Sequence, residues 1–197
     1  MYVPLTPPTV RVVWPLLSTF CVIMPVGICD TGRTQVALRV GKSCEASIVV
    51  AAPTEAVWAL VSDVTKTGEW SAECRGAEWL DGASGPVKGA RFRGRNRRNA
   101  TRWSRVCEVL EVDAPQRLAW RTLPTRLLPD STRWEFELTP SPTGTTLTER
   151  MQVLQIPWLY DRLFAAMLPQ HRDRTADLEA DLHRIKARLE ESSQAAV

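Results

Sequence analysis

Histidine is scarce here, with only His171 and His183 in 197 residues, and neither lies at zinc-ligand spacing from a cysteine. The five cysteines, Cys21, Cys29, Cys44, Cys74 and Cys107, contain no CxxC pair. With no His/Asp/Glu cluster at metal spacing either, no metal centre is expected. An odd cysteine count without a framework reads as reduced thiols, which points to the cytoplasm. There is no glycine-rich phosphate loop and no GxSxG, so nothing points to a phosphate cradle or a serine nucleophile, and dinucleotide-dependent hydride chemistry is disfavoured. No cofactor is expected. Charge of one sign is also lacking: 25 Lys and Arg against 22 Asp and Glu leave a net +3, too mild to argue for nucleic acid. Internal repeats and long low-complexity tracts are absent.

What is present is helical spacing near the C-terminus. Leu178, Leu182, Ile185 and Leu189 recur at i, i+4, i+7 and i+11. Upstream, Leu159, Leu163, Met167 and His171 continue a similar stripe, and Pro169 between the halves predicts a kink or short break. The spacing predicts a long helix over Pro157–Glu190. Before it the chain reads as strands about half that length. These are Ser43–Ala52, Cys74–Leu80, Ala90–Arg98, Arg102–Val112, Arg117–Leu123, Ser131–Thr139 and Thr145–Leu154, with turn signals between them. A short amphipathic helix follows Pro53, with Val57, Leu60 and Val61 on one face. Residues 64–71 read as a turn or second short helix broken by Gly68. The expected class is α+β, a curved antiparallel sheet wrapped around the long helix with a space between them.

Period two along the last strand puts Leu147, Glu149, Met151 and Val153 on the core or cavity face. Glu149 is then a carboxylate among apolar residues. Burial would raise its pKa, as in a general acid or base, though a structural ion pair or a solvated mouth residue gives the same pattern. His171 on the long helix could pair with it. In 90–98 the inward set is Phe92, Gly94, Asn96 and Arg98, where Asn96 and Arg98 offer donors to a ligand. The opposite set, Arg91, Arg93, Arg95 and Arg97, reads as a solvated face. Its sharper reading is an anion-binding patch, but no aromatics interleave it for base stacking, and no nucleic-acid partner is expected. Eight tryptophans are many for this length. Trp120 and Trp134 fall in inward register, and Trp70 and Trp103 lie near element ends where a cavity would open. With Phe92, Met151 and Met167 they would line a site for an apolar or aromatic small molecule, or simply fill the core.

Several stretches resemble the START-like (SRPBCC) superfamily, in its polyketide cyclase/dehydrase-like bacterial branch. They are SIVVAAPTEAVWALVSDVTKTGEWSAEC at 47–74, GARFRGRNRR at 89–98, RVCEVLEVDAPQRLAW at 105–120 and TTLTERMQV at 145–153. The resemblance spans about 43–190 and implies the helix-grip fold, a curved antiparallel sheet around a long C-terminal helix. It says little about chemistry, because that superfamily includes lipid carriers, hormone binders and aromatase/cyclases. It leaves three expectations: a carrier of a hydrophobic small molecule, a polyketide cyclase/dehydratase using Glu149 or His171, and a stress or toxin-like module whose arginine face meets an anionic partner.

Residues 1–42 are set apart as a leader, 43–191 as the domain and 192–197 as a disordered tail. The leader carries five prolines and an apolar run from Val10 to Cys29. It reads as unstructured upstream sequence, an export signal with a poor cleavage site, or a membrane span interrupted by Pro15 and Pro25. Stable membrane insertion is not expected, and the sequence defines no oligomeric state.

Overall fold

Period-two burial is the rule in the strands. On β1 (Ser43–Val50), Ala46 and Val50 are buried between exposed neighbours. A computed structural model of the chain describes residues 42–167 and 173–194. After β1 come α1 (Thr54–Val61), a single 3-10 turn (Val64–Lys66) and α2 (Thr67–Trp70). Six strands follow: β2 (Cys74–Trp79), β3 (Arg91–Arg98), β4 (Thr101–Asp113), β5 (Arg117–Thr122), β6 (Ser131–Ser141) and β7 (Gly144–Gln155). Helices α3 (Trp158–Met167) and α4 (Thr175–Gln194) close the described chain. The sheet is seven-stranded and antiparallel throughout, in the order β1-β7-β6-β5-β4-β3-β2. This is the helix-grip architecture expected from the sequence.

Pro53 sits at the N-cap of α1 in extended conformation and starts the helix that buries Val57, Leu60 and Val61. The predicted stripe on α4 is the one that packs: Leu178, Leu182 and Ile185 are at most 2% exposed. Burying three such side chains contributes roughly 1.5–3 kcal/mol each. Polar ties complete the join to β1. Lys186 Nζ donates to Val49 O at 2.8 Å, and Ala51 N donates to Glu190 Oε1 at 2.9 Å. Together with Val50, Phe136, Leu138 and Leu147 these residues fill one end of the sheet.

Two expectations need correction. Gly68 lies inside α2 and does not break it: a Cβ there would stand 2.6 Å from the Arg75 carbonyl oxygen, so glycine lets the helix lie against β2. As the break expected between its halves implies, the stretch read as a long helix forms two helices, α3 and α4. On α3 the apolar stripe faces outward, with Leu159 and Leu163 exposed, while Asp161 is buried with Lys42 Nζ 2.5 Å away. An ion pair at the start of β1 thus fixes the rotation of α3. Lys42 precedes β1 directly, and α4 runs to Gln194.

Candidate functional site

Residues directly opposite in an antiparallel ladder share a face, so register shows what surrounds each inward side chain. One rung runs Cys44, Met151, Trp134, Trp120 and Val109 across five strands. The rung beyond it holds Ala46, Glu149, Phe136 and Leu118. Aromatic edges pack along this surface. Trp70 of α2 meets Phe136 at 5.6 Å between centroids, Phe136 meets Trp120 at 5.6 Å, and Trp120 meets Phe92 at 6.2 Å. The end of the sheet away from the filled core stays open, and between it and α4 lies a cavity of about 1020 Å³.

Trp70, Phe92, Asn96, Arg98, Trp103, Trp120, Trp134, Glu149 and Met151 all line this cavity. Asn96 and Trp103 are cross-strand partners in its wall. Arg98 is in the wall too, and its Nη2 and Nη1 donate to Asp177 at 2.7 and 3.1 Å, tying the end of β3 to the first turn of α4. His171 and the Met167 side chain lie outside the described residues. The arginines at 91, 93, 95 and 97 are exposed on the outer face, where Arg91 pairs with Asp81 at 2.8 Å.

Glu149 is 3% exposed, and its Oε2 has no hydrogen-bond partner among the described residues. Burial pushes its carboxyl well above the usual range, and the charge of Asp181 adds to this while Arg174 opposes it. Asp181 on α4 is itself pushed up to about 6 by burial, against a 2.6 Å bond from Ala72 N and one from Ser71 Oγ. Arg174 pairs with Glu73, reaches Asp177 and lies 5.6 Å over the Trp134 ring.

Sequence reasoning missed Arg174, Asp181 and Arg105. The first two sit at i−4 and i+3 from Leu178, so the stripe that predicted α4 would have placed them on the same face. Arg105 lies in the inward set of β4 with Cys107 and Val109, where the period-two rule would have found it. It is buried, donates from Nη1 to Asp130 Oδ1 at 2.8 Å and from Nη2 to Asp130 O at 2.7 Å, and keeps an unpartnered Nε. Trp70 Nε1 is likewise buried without a partner. Two donors and one carboxyl oxygen of residues that line the cavity are thus buried without a partner among the described residues. Cys107 is buried and its thiol is pushed up to about 12 by desolvation, so it is a poor nucleophile. Among the described residues, no group of three or more His, Cys, Asp or Glu is placed to hold a metal.

Residues 42–190 match the family described as polyketide cyclase/dehydrase and lipid transport. No curated protein matches the chain. Among solved structures, the Zhui aromatase/cyclase from a Streptomyces species superposes with a TM-score of 0.61 at 17% identity, covering 81% of this chain and 98% of its own. A polyketide-cyclase-like protein from Corynebacterium glutamicum has a TM-score of 0.53 at 31% identity, with 78% of this chain and 94% of its own covered. A Deinococcus radiodurans protein gives 0.55 at 21% identity, covering 77% and 99%.

Proposed function

We propose, for a chain that belongs to the polyketide cyclase/dehydrase and lipid transport family, that its cavity binds an apolar or aromatic small molecule of lipid or polyketide size. One observation carries this reading: a cavity of about 1020 Å³ walled by aromatic residues, three of whose lining residues, Trp70, Arg105 and Glu149, each hold a buried polar atom without a protein partner. Apolar burial holds the ligand, and a few placed polar groups orient it. Trp70 Nε1 and Arg105 Nε donate to ligand oxygens, and Glu149, holding its proton, donates a third bond. Asn96 supplies a fourth contact nearer the β3–β4 end. The test is to expose the purified protein to a panel of lipids and polyphenols and measure binding by native mass spectrometry and tryptophan quenching. A saturable complex weakened by Glu149→Ala and Trp70→Phe supports the reading, and no complex with any member of the panel counts against it.

A second reading, polyketide cyclisation or dehydration, is favoured by the proton held on Glu149. In that reading a ligand carbonyl oxygen accepts the Glu149 proton as a neighbouring enol carbon of the same chain bonds to the carbonyl carbon. The carboxylate left behind then takes up the proton released from that enol. The cavity contributes by folding the chain so that the two carbons meet. Glu149→Gln separates the readings. Ligand affinity kept with turnover lost means an enzyme; affinity kept with no turnover in either form means a carrier.

A further inference from the structure

The open end of the cavity is ringed by side chains that the ligand site does not use. On α3, Trp158, Leu159 and Leu163 are 45%, 59% and 49% exposed, while Phe164 of the same helix lines the cavity. Leu127, on the loop before β6, is 83% exposed. That loop is held to the end of β7, where α3 departs, by Gln155 Nε2 donating to Pro129 O and by the pairing of Ser131 with Gln155.

Arg126 and Arg162 are next in the chain to Leu127 and Leu163, and Arg97 and Arg102 flank the β3–β4 turn, where Asn99 and Thr101 line the cavity. Arg97, Arg102, Arg126 and Arg162 are exposed, and none has a carboxylate partner among the described residues. Arg97 and Arg102 even stand directly opposite each other in the β3–β4 ladder, where like charges repel. The rim's carboxylates, by contrast, are engaged. Asp130 pairs with Arg105, Asp161 with Lys42, Glu73 with Arg174 and Asp177 with Arg98, and Asp173 accepts from Thr175 N. The rim therefore presents apolar side chains surrounded by uncompensated positive charge.

We infer that this rim docks on the surface of an anionic lipid bilayer. Trp158, Leu159, Leu163 and Leu127 enter the boundary between headgroups and acyl chains, and the four arginines meet lipid phosphates. The protein lies on the bilayer rather than spanning it, and no described helix is long and apolar enough to cross a membrane. Because Phe164, Leu128 and Asn99 of the same segments line the cavity, an apolar ligand passes between lipid and protein without crossing water. That consequence rests on the ligand reading above, whereas the docking does not.

The experiment is flotation of the full-length protein with vesicles of phosphatidylcholine alone and with phosphatidylglycerol added, in the absence of any ligand. The expected result is binding to the anionic vesicles that falls steeply with salt. Trp158→Ser and Leu163→Ser should each weaken partitioning by about tenfold, since each withdraws a large apolar side chain from lipid. Arg97→Glu with Arg102→Glu should remove the preference for anionic vesicles. Circular dichroism checks that these surface variants are folded. No flotation with either vesicle, or flotation indifferent to every variant, overturns the proposal. So does a dimer in sedimentation velocity that Leu163→Ser dissociates, because the face then covers a second copy. A protein that floats but binds no ligand keeps the docking and loses the carrier reading, and one that binds ligand but never floats does the reverse.

Discussion

Asp181 of α4 and Glu149 of β7 both line the cavity, one from the helix and one from the sheet, close enough for the charge of Asp181 to raise the Glu149 pKa. The proton that burial places on Glu149 is held more firmly still when Asp181 is charged. Burial raises the pKa of both carboxyls, and Arg174 opposes the shift at Glu149 from the N-terminal end of α4. This is a costly arrangement for a core.

Replacing Glu149 with Gln should flatten part of the pH dependence of stability. In the unfolded chain Glu149 loses its proton in the ordinary carboxylate range, near about 4.3. In the folded protein it keeps the proton to higher pH. The unfolded state therefore binds fewer protons above that range, and stability falls as pH rises toward the folded pKa. Urea unfolding of wild type and Glu149→Gln from about pH 4 to about pH 8 should show the variant gaining relative stability as pH rises. Parallel curves would mean that Glu149 is not protonated in the fold.

Asp181→Asn should lower the pKa of Glu149, because a charge that raises it is removed. The asparagine can still accept from Ala72 N. Carbon-13 NMR of the Glu149 carboxyl would record the shift directly. Asp181 adds its own stability slope of the same sign, confined between about 3.9 and its folded value of about 6. That slope should vanish in the variant.

Arg105→Leu should cost about 2–4 kcal/mol, because it strands the Asp130 carboxylate and leaves the Asp130 and Leu123 carbonyls short of a donor. Adding Asp130→Leu should recover part of the loss, and denaturant unfolding of the two singles and the double gives the coupling. Strict additivity would mean that the pair is not a unit.

Gly144→Ala should be the most damaging single methyl in the hairpin between β6 and β7. Its φ of +141° disfavours a side chain, and a Cβ would stand 2.1 Å from the Val50 carbonyl oxygen. A loss of about 2–4 kcal/mol is expected, measured as a drop in Tm. A variant within experimental error of wild type would contradict this account of the β1–β7 junction.

Most of the fold was legible because its signals are local. Alternation along β7 placed Glu149 inside, alternation along β3 sent Phe92 in and the arginines out, and the Leu178–Leu182–Ile185 stripe found α4. The site was legible only to the extent that it follows those periods. The bond from Arg98 to Asp177 was not legible, because nothing in β3 reveals a partner 79 residues away in sequence. Arg105 was within reach of the alternation along β4, but its partner was not: only the folded sheet brings the loop carrying Asp130 near. The orientation of α3 was reversed for a similar reason: Leu159 and Leu163 look like core residues, but Lys42, 119 residues before Asp161, decides which side faces in.

The most direct measurement is native mass spectrometry of the full-length protein purified gently from its source, followed by extraction and identification of any bound small molecule. A single lipid- or polyketide-sized adduct, lost on denaturation and weakened in Glu149→Ala, is the predicted result. Protein that runs at its bare mass and binds no apolar probe afterwards would contradict the central claim.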